Sequence, residues 1–152
     1  MGAGVFTLAD ISSADWSLAL DAPGAPGSGL GQVVQGTADV DQCIRIILTT
    51  PKGSDPLRPM FAADIWQYID YPINAAIPAI VREVTQAITL WEPRVTLTGV
   101  KALPITDDST QSGAHLEVTV SWQLKLSTNG TTPPPFLPAQ TTTLTIPTQG
   151  LA

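Results

Sequence analysis

The chain has 152 residues, of which 43% are hydrophobic and 13% are charged, and its formal net charge is −6. This composition predicts a folded domain and excludes a disordered chain. No basic stripe could neutralise phosphates, and no apolar stretch reaches the roughly 18 residues of a membrane helix. We therefore expect a soluble protein that binds neither nucleic acid nor a membrane.

The N-terminal part is predicted to form an arm followed by a β-hairpin. Residues 1–14 have no clear hydrophobic period and are interpreted as the arm, while residues 15–152 are predicted to form a single domain. Apolar residues alternate with polar or small ones from Trp16 to Leu20, and a Gly- and Pro-rich stretch separates them from Val33-Val34-Gln35. Such a pattern is typical of two strands joined by a loop.

Two helices are expected next. Asp39 is predicted to cap the first one, with Gln42 completing a capping-box-like pattern and Pro51 ending the helix. The single cysteine, Cys43, falls on its apolar side, which favours core packing over a reactive thiol. A short second helix is predicted over residues 62–68, between two proline-containing connectors.

The third predicted helix carries the strongest helical signal in the chain. Apolar residues are spaced at three and four from Ile73 to Trp91, a spacing typical of a buried helix face. Because proline disrupts a helix interior, the helix is expected to begin near Asn74, with Pro78 in about its first turn.

After this helix the hydrophobic period changes to that of β-strands. From Val95 to Val100 the residues are predicted to alternate strictly, and Leu116 to Leu126 reads as a long strand with one polar face. A last strand is predicted over residues 141–146, ending at Pro147 on a sheet edge. The elements predict an α+β domain, in which two or three helices cover one face of a mainly antiparallel sheet and an N-terminal β-hairpin precedes them.

No residue pattern typical of catalysis or cofactor binding is visible. The chain has one histidine, His115, on the expected solvent face of a strand, so no zinc site or Ser/His/Asp triad is supported. Accordingly, no catalytic, cofactor-binding or metal-binding residue is predicted.

Glu92-Pro93-Arg94 marks the boundary between the strongest helix and the first sheet strand. Pro93 disfavours helical geometry at Glu92 and cannot donate a helical hydrogen bond, so the chain leaves the helix there. In an extended segment Glu92 and Arg94 project to the same side. The pair is interpreted either as a docking point for a partner or as a local salt bridge that ties helix to strand.

Five motifs follow one another along the chain: Cys43-Ile44-Arg45-Ile46-Ile47-Leu48-Thr49-Thr50-Pro51-Lys52-Gly53, Arg58-Pro59-Met60-Phe61, Ile69-Asp70-Tyr71-Pro72, Ala87-Ile88 and Trp91-Glu92-Pro93-Arg94-Val95. In this order they resemble the baseplate W family, the sheath-initiator subunits of contractile-tailed phages with relatives in tailocins and type VI secretion baseplates. The similarity covers about residues 33–103, and the Glu-Pro-Arg signature is intact. The family usually has glycine where this chain has Ala62.

The resemblance implies a non-enzymatic structural protein that is assembled in the host bacterial cytoplasm and located in the tail baseplate of the virion. Glu92, Pro93 and Arg94 are then expected to bind the baseplate wedge core. The sheet edge is expected to accept strands of the tail sheath protein by β-augmentation. Tail tube or hub proteins are further expected neighbours, with about six copies around a closed symmetry axis. The edge residues expected to take part are Thr141, Thr143 and Thr145.

Two other functions remain open. A lysozyme-like glycoside hydrolase would need two carboxylates about 5–9.5 Å apart. Glu92 is the candidate acid, but Glu83 lies more than about 10 Å away along the helix. A free-standing carbohydrate- or partner-binding module is favoured by the four tryptophans. Trp16 is expected to be exposed, whereas the remaining three fall on predicted core faces: Trp66, Trp91 and Trp122.

Overall fold

The computed structural model describes residues 15–20, 33–105, 115–125 and 139–147. The predicted arm, residues 1–14, lies outside the described residues. Within them the elements confirm the α+β class: β1 (Trp16–Leu18), β2 (Val33–Gln35), α1 (Thr37–Thr49), a 3-10 turn (Trp66–Tyr68), α2 (Ile73–Trp91), β3 (Val95–Ile105), β4 (His115–Leu124) and β5 (Gln140–Pro147).

Backbone contacts divide the chain into two compact units, residues 1–43 and residues 44–152. The first contains β1, β2 and the beginning of α1, and the second contains every later element. A single domain over residues 15–152 stays a prediction.

In the first unit, β1 and β2 form the predicted antiparallel hairpin, with Leu18 opposite Val33. Asp39 does not start α1 as predicted, because the helix begins at Thr37 and Asp39 lies buried in its first turn. Gln42 does not complete a capping box either. Its Nε2 donates to Ser17 Oγ at 2.9 Å and to the Leu18 carbonyl at 2.8 Å. Gln42 therefore holds β1 against the helix by hydrogen bonds between residues far apart in sequence.

The apolar stripe predicted for α1 is confirmed by burial, since Val40, Ile44, Ile47 and Leu48 are all buried. Cys43 is only half-buried. The helix ends at Thr49, two residues before Pro51, which has no amide hydrogen to continue the hydrogen-bond pattern. Gly53 then adopts a φ of +85°, a left-handed conformation that glycine reaches without steric cost.

The helix predicted over residues 62–68 is wrong, since only one 3-10 turn forms there, at Trp66–Tyr68. The reason is tertiary. The Ala63 amide donates to the Ile47 carbonyl at 3.0 Å, which draws the segment against the end of α1, and Ala62 adopts a φ of +83°. A left-handed residue ends helical geometry at the point where the predicted helix should start.

Ala62 adopts this left-handed φ although it carries a side chain. This geometry costs an alanine roughly 1–2 kcal/mol. Glycine in its place would lose roughly 0.5–1 kcal/mol through chain entropy. It would also lose about 0.8 kcal/mol of methyl burial, because Ala62 is only 3% exposed. The cost of the left-handed φ nearly equals the sum of the entropy and burial terms, so alanine and glycine are expected to give similar stability here.

Helix α2 has the buried face that its sequence predicts, and it packs against β3. It begins one residue before Asn74, so Pro78 is its sixth residue and lies in the second turn rather than the first. Asn74 and Pro78 are both exposed. Because Pro78 has no amide hydrogen to donate, the Asn74 carbonyl lacks its helical partner and can accept from water instead. The buried residues of the face are Ala76, Ile80, Val84, Ala87 and Ile88.

The three C-terminal strands form one antiparallel sheet in the order β3-β4-β5. The inward side chains of the central strand are buried: Leu116, Val118, Val120 and Trp122. The Trp122 indole N–H donates to the Thr142 hydroxyl at 2.9 Å, so the buried polar atom of this large side chain has a partner. The sheet thus has one apolar face and one polar face.

A bulge interrupts the strict alternation predicted for the first sheet strand. Leu97 lies opposite Trp122 and Gly99 opposite Ser121, so that Thr98 is an extra residue in β3. Beyond it, Val100 lies opposite buried Val120, on the core face rather than among the outward residues. His115, predicted on the solvent face, is half-buried.

Candidate functional site

The corner between α2 and β3 is the first candidate site, and its geometry follows from Pro93. Glu92 still donates its amide to the Ile88 carbonyl at 2.9 Å as the last helical bond. Its φ of −124° and ψ of 74° then leave helical geometry, as expected for a residue before proline. β3 begins two residues after the proline, at Val95.

Glu92 and Arg94 form a bidentate ion pair across this corner. Arg94 Nε donates to Glu92 Oε1 at 2.7 Å, and Arg94 Nη2 donates to Oε2 at 2.8 Å. The Glu92 side chain is 4% exposed, whereas that of Arg94 is 31% exposed. Both oxygens of a buried carboxylate therefore accept from a partly accessible guanidinium, the strongest geometry available to this pair.

The structure brings the predicted residues Glu92, Pro93 and Arg94 together, but not as a carboxylate and a guanidinium both open to solvent. Of the two interpretations, the local salt bridge is the contact that forms. What the corner presents outward is Pro93, which is exposed, and about a third of the Arg94 side chain. Binding of a partner at this corner stays a prediction.

Further contacts fix the corner from two sides. The Arg94 carbonyl accepts from the Lys125 amide at 2.7 Å, which ties it to the end of β4. Phe61 meets Trp91 edge to face with ring centroids 5.3 Å apart. Leu90, at the same end of α2, is 66% exposed. This exposed leucine was not predicted, although its position outside the apolar stripe of α2 is visible in the sequence.

The edge strand β5 is the second candidate site. Among the described residues β5 pairs with β4 alone, so its other side meets no strand. Side chains predicted to lie at the edge are exposed: Thr141, Thr143 and Thr145. They alternate with inward ones, of which Thr142 and Ile146 are buried. The predicted edge position is thus confirmed, while strand exchange at it stays a prediction.

Arg45 of α1 reaches this edge, because its Nη1 donates to the Thr143 carbonyl at 3.4 Å. A bond from outside the sheet indicates that this carbonyl faces away from β4. In an antiparallel ladder the N–H and C=O of one residue point to the same side, and those of the next residue point to the other. The outward backbone groups of β5 are therefore those of Thr141, Thr143 and Thr145.

The family model of the baseplate wedge protein gp25 matches residues 34–129 of this chain. The chain belongs to the gp25 family. This membership confirms the resemblance inferred from the sequence, and it confirms a structural protein of the contractile-tail baseplate, located there in the particle. No curated protein matches the chain.

Solved structures similar to this gp25 family member come from contractile particles and a related tail protein. A Geobacter sulfurreducens protein with a provisional assignment as a tail lysozyme has 28% identity and a TM-score of 0.57, over 75% of this chain and 92% of that chain. A chain of the postcontracted pyocin R2 baseplate has 24% identity and a TM-score of 0.52, over 72% of this chain and 99% of that chain. A chain of the anti-feeding prophage baseplate has 20% identity and a TM-score of 0.50, over 62% of this chain and 75% of that chain. The last two likenesses show the fold alone.

Within the residues that the structure describes, features of other functional classes are few in this gp25 family member. In the described ranges no three His, Cys, Asp or Glu side chains group as metal ligands. No helix there is long and apolar enough to cross a membrane. Trp122 is buried as predicted, whereas Trp91, also predicted on a core face, is half-buried. The core position predicted for Trp66 is wrong, since it is 38% exposed, and Trp16 is exposed at 44% as expected.

Proposed function

We propose that this gp25 family member is a non-enzymatic coupler of the baseplate, which binds the wedge core through the corner at Glu92-Pro93-Arg94 and seeds the tail sheath through β5. The observation that carries the proposal is the bidentate bond from a partly exposed Arg94 to a buried Glu92. Family membership supports the baseplate setting.

The corner is suited to docking because Arg94 is oriented before any partner arrives. Two bonds to Glu92 fix the plane of the guanidinium, so little side-chain entropy is left to lose on binding. Guanidinium groups favour carboxylates and backbone carbonyls, and such bonds strengthen when water is excluded. Exposed Pro93 and Leu90 add rigid and apolar surface nearby. A wedge protein with a carboxylate or the carbonyls of a helix C-terminus fits this corner.

Two edges of the sheet could accept a foreign strand, and their sequences favour β5. The edge strand β3 carries a bulge at Thr98, a charged Lys101 and an internal Pro104, all devices that protect an edge from pairing. From Thr141 to Ile146, β5 has no charge, proline or glycine. Its outward backbone groups recur at every second residue, as strand addition requires. We infer that an extended segment of a sheath subunit pairs here.

A second candidate, cleavage of peptidoglycan, is favoured by one observation, the provisional lysozyme assignment of the Geobacter sulfurreducens protein. The corner geometry argues against it. Both oxygens of Glu92 accept from Arg94, and the side chain is 4% exposed, so the carboxyl group cannot approach a glycosidic oxygen. Glu83, the nearest glutamate along the chain, contacts Arg82 instead, at 3.4 Å.

We expect the purified protein to release no more dye from labelled peptidoglycan than buffer does. Glu92→Gln should not change this result, because no step of hydrolysis passes through that side chain. A lysozyme of known activity, added to the same substrate, provides the positive control. Dye release by the wild type that disappears in Glu92→Gln would establish the enzyme and overturn the non-enzymatic assignment.

A cryo-EM reconstruction of the assembled baseplate tests both surfaces together. We expect Arg94 within hydrogen-bonding distance of a wedge protein, and density for a foreign strand along the outer side of β5. A corner that faces open solvent would exclude the docking surface. A bare β5 edge in particles that carry sheath would exclude strand exchange at this site.

A further inference from the structure

We propose that Arg45 is a latch on the β5 edge, which occupies the backbone acceptor of Thr143 until an incoming strand displaces it. The inference rests on the proposed function, because it concerns the edge at which the sheath strand is expected to pair. Its direct support is the 3.4 Å bond from Arg45 Nη1 to the Thr143 carbonyl, between residues 98 positions apart.

The position of this bond makes it an obstacle to strand addition. Thr143 is the middle one of the three residues whose backbone groups face outward, with Thr141 and Thr145 on either side. A foreign strand in full register needs the Thr143 carbonyl as an acceptor for one of its own amides. That amide and the Arg45 guanidinium compete for the same oxygen, so pairing requires Arg45 to leave.

The contact has the strength expected of a releasable latch rather than of a structural bond. Its 3.4 Å distance is longer than the 2.7–2.9 Å that is typical of charge-assisted N–H···O bonds. The Arg45 residue is exposed, so the guanidinium can exchange the carbonyl for water with little desolvation. A strand that adds several backbone bonds at once can therefore displace it.

An uncharged edge needs such protection before assembly. The β5 segment is rich in threonine, has high strand propensity and carries no charged side chain of its own. Two copies of this edge could pair with each other in an isologous contact. Arg45 of α1 places a positive charge beside the Thr143 carbonyl, at the middle of a strand that has no charge of its own. Natural proteins protect exposed sheet edges with charged side chains in the same way.

Arg45→Met tests the latch, since methionine keeps an unbranched apolar stem and removes all N–H donors. The expected result is an about fivefold rise in the self-association constant of the purified full-length protein, the effect of losing one competing hydrogen bond. Sedimentation velocity over a range of concentrations measures this constant. The rate of sheath formation on baseplates that contain the variant should rise in parallel.

Arg82→Met is the matched control, because Arg82 is also an exposed helical arginine but bonds Glu83 rather than the sheet. It should leave both measurements at the wild-type value. Arg45→Lys retains the charge and a donor and should stay close to wild type. Circular dichroism checks folding, and Arg45→Gln, whose side chain is too short to reach the edge, replaces the methionine variant if that variant does not fold.

The outcomes separate the latch from the proposed function. Unchanged self-association and unchanged sheath formation in Arg45→Met would overturn the latch, even where blocking β5 still prevents sheath assembly. Increased self-association with unchanged sheath formation would support the latch and overturn strand exchange at β5. An equal rise in Arg82→Met would also overturn the latch, since a general loss of positive charge would then explain the result.

Discussion

Replacing Arg94 with alanine is expected to lower the free energy of unfolding by about 2–3 kcal/mol and to remove the protein from assembled baseplates. The variant leaves the Glu92 carboxylate buried without the two bonds that compensate its charge. Breaking a fully buried pair costs roughly 3–5 kcal/mol, and the partial exposure of Arg94 reduces that figure. Urea unfolding measures the first effect, and immunoblotting of purified particles measures the second.

Stability and docking are separated by the double variant Glu92→Gln with Arg94→Gln. It removes both charges at once, so no uncompensated charge remains in the interior, and stability should recover to within about 1 kcal/mol of wild type. The protein should still be absent from baseplates, because the oriented guanidinium is gone. A double variant that folds and is incorporated at the normal level would show that the ion pair only holds the corner together.

Regular elements with strong local periodicity could be predicted from the sequence. The apolar spacing from Ile73 to Trp91 predicts α2 to within a residue, and the alternation after His115 predicts β4. Both signals lie within one segment and need no knowledge of its neighbours. The hairpin was predicted for the same reason, since its two short strands flank a Gly- and Pro-rich stretch.

Errors arose where a distant contact decides the local conformation. The segment after Phe61 has helical spacing, yet the bond from Ala63 to Ile47 and the left-handed φ of Ala62 prevent a helix. Gln42 stands at a capping-box position but bonds β1 instead. In each case the competing interaction joins residues from different elements, which no pattern within a short window contains.

The candidate site was predictable in part. Pro93 predicts the end of the helix, and the spacing of Glu92 and Arg94 predicts that they meet. Their unequal burial could not be predicted, because it depends on packing around the end of α2 and on the bond from Lys125 to the Arg94 carbonyl. Arg45 was missed for a simpler reason: its partner at the sheet edge is 98 positions away.

Thr143→Pro is expected to give baseplates that contain the protein but carry no sheath. The outward amide of Thr143 is a donor that an added strand would use, and proline removes it while its ring obstructs the approach of the partner backbone. Because this amide faces away from β4, the substitution removes no bond of the β4–β5 ladder, and proline is tolerated on edge strands in that orientation. Negative-stain electron microscopy of particles counts those with and without sheath.

The matched control is Thr143→Val, which keeps the amide donor and has high strand propensity. It should leave sheath length and frequency unchanged, so that a defect in the proline variant is assigned to the backbone and not to the hydroxyl. Leu144→Pro provides the opposite control, because its amide faces β4 and its loss should destabilise the fold itself. Normal sheaths on particles that contain Thr143→Pro would exclude β5 as the accepting edge. The protected β3 edge would then be the remaining site in the described sheet, and its bulge at Thr98 would set the register of the incoming strand.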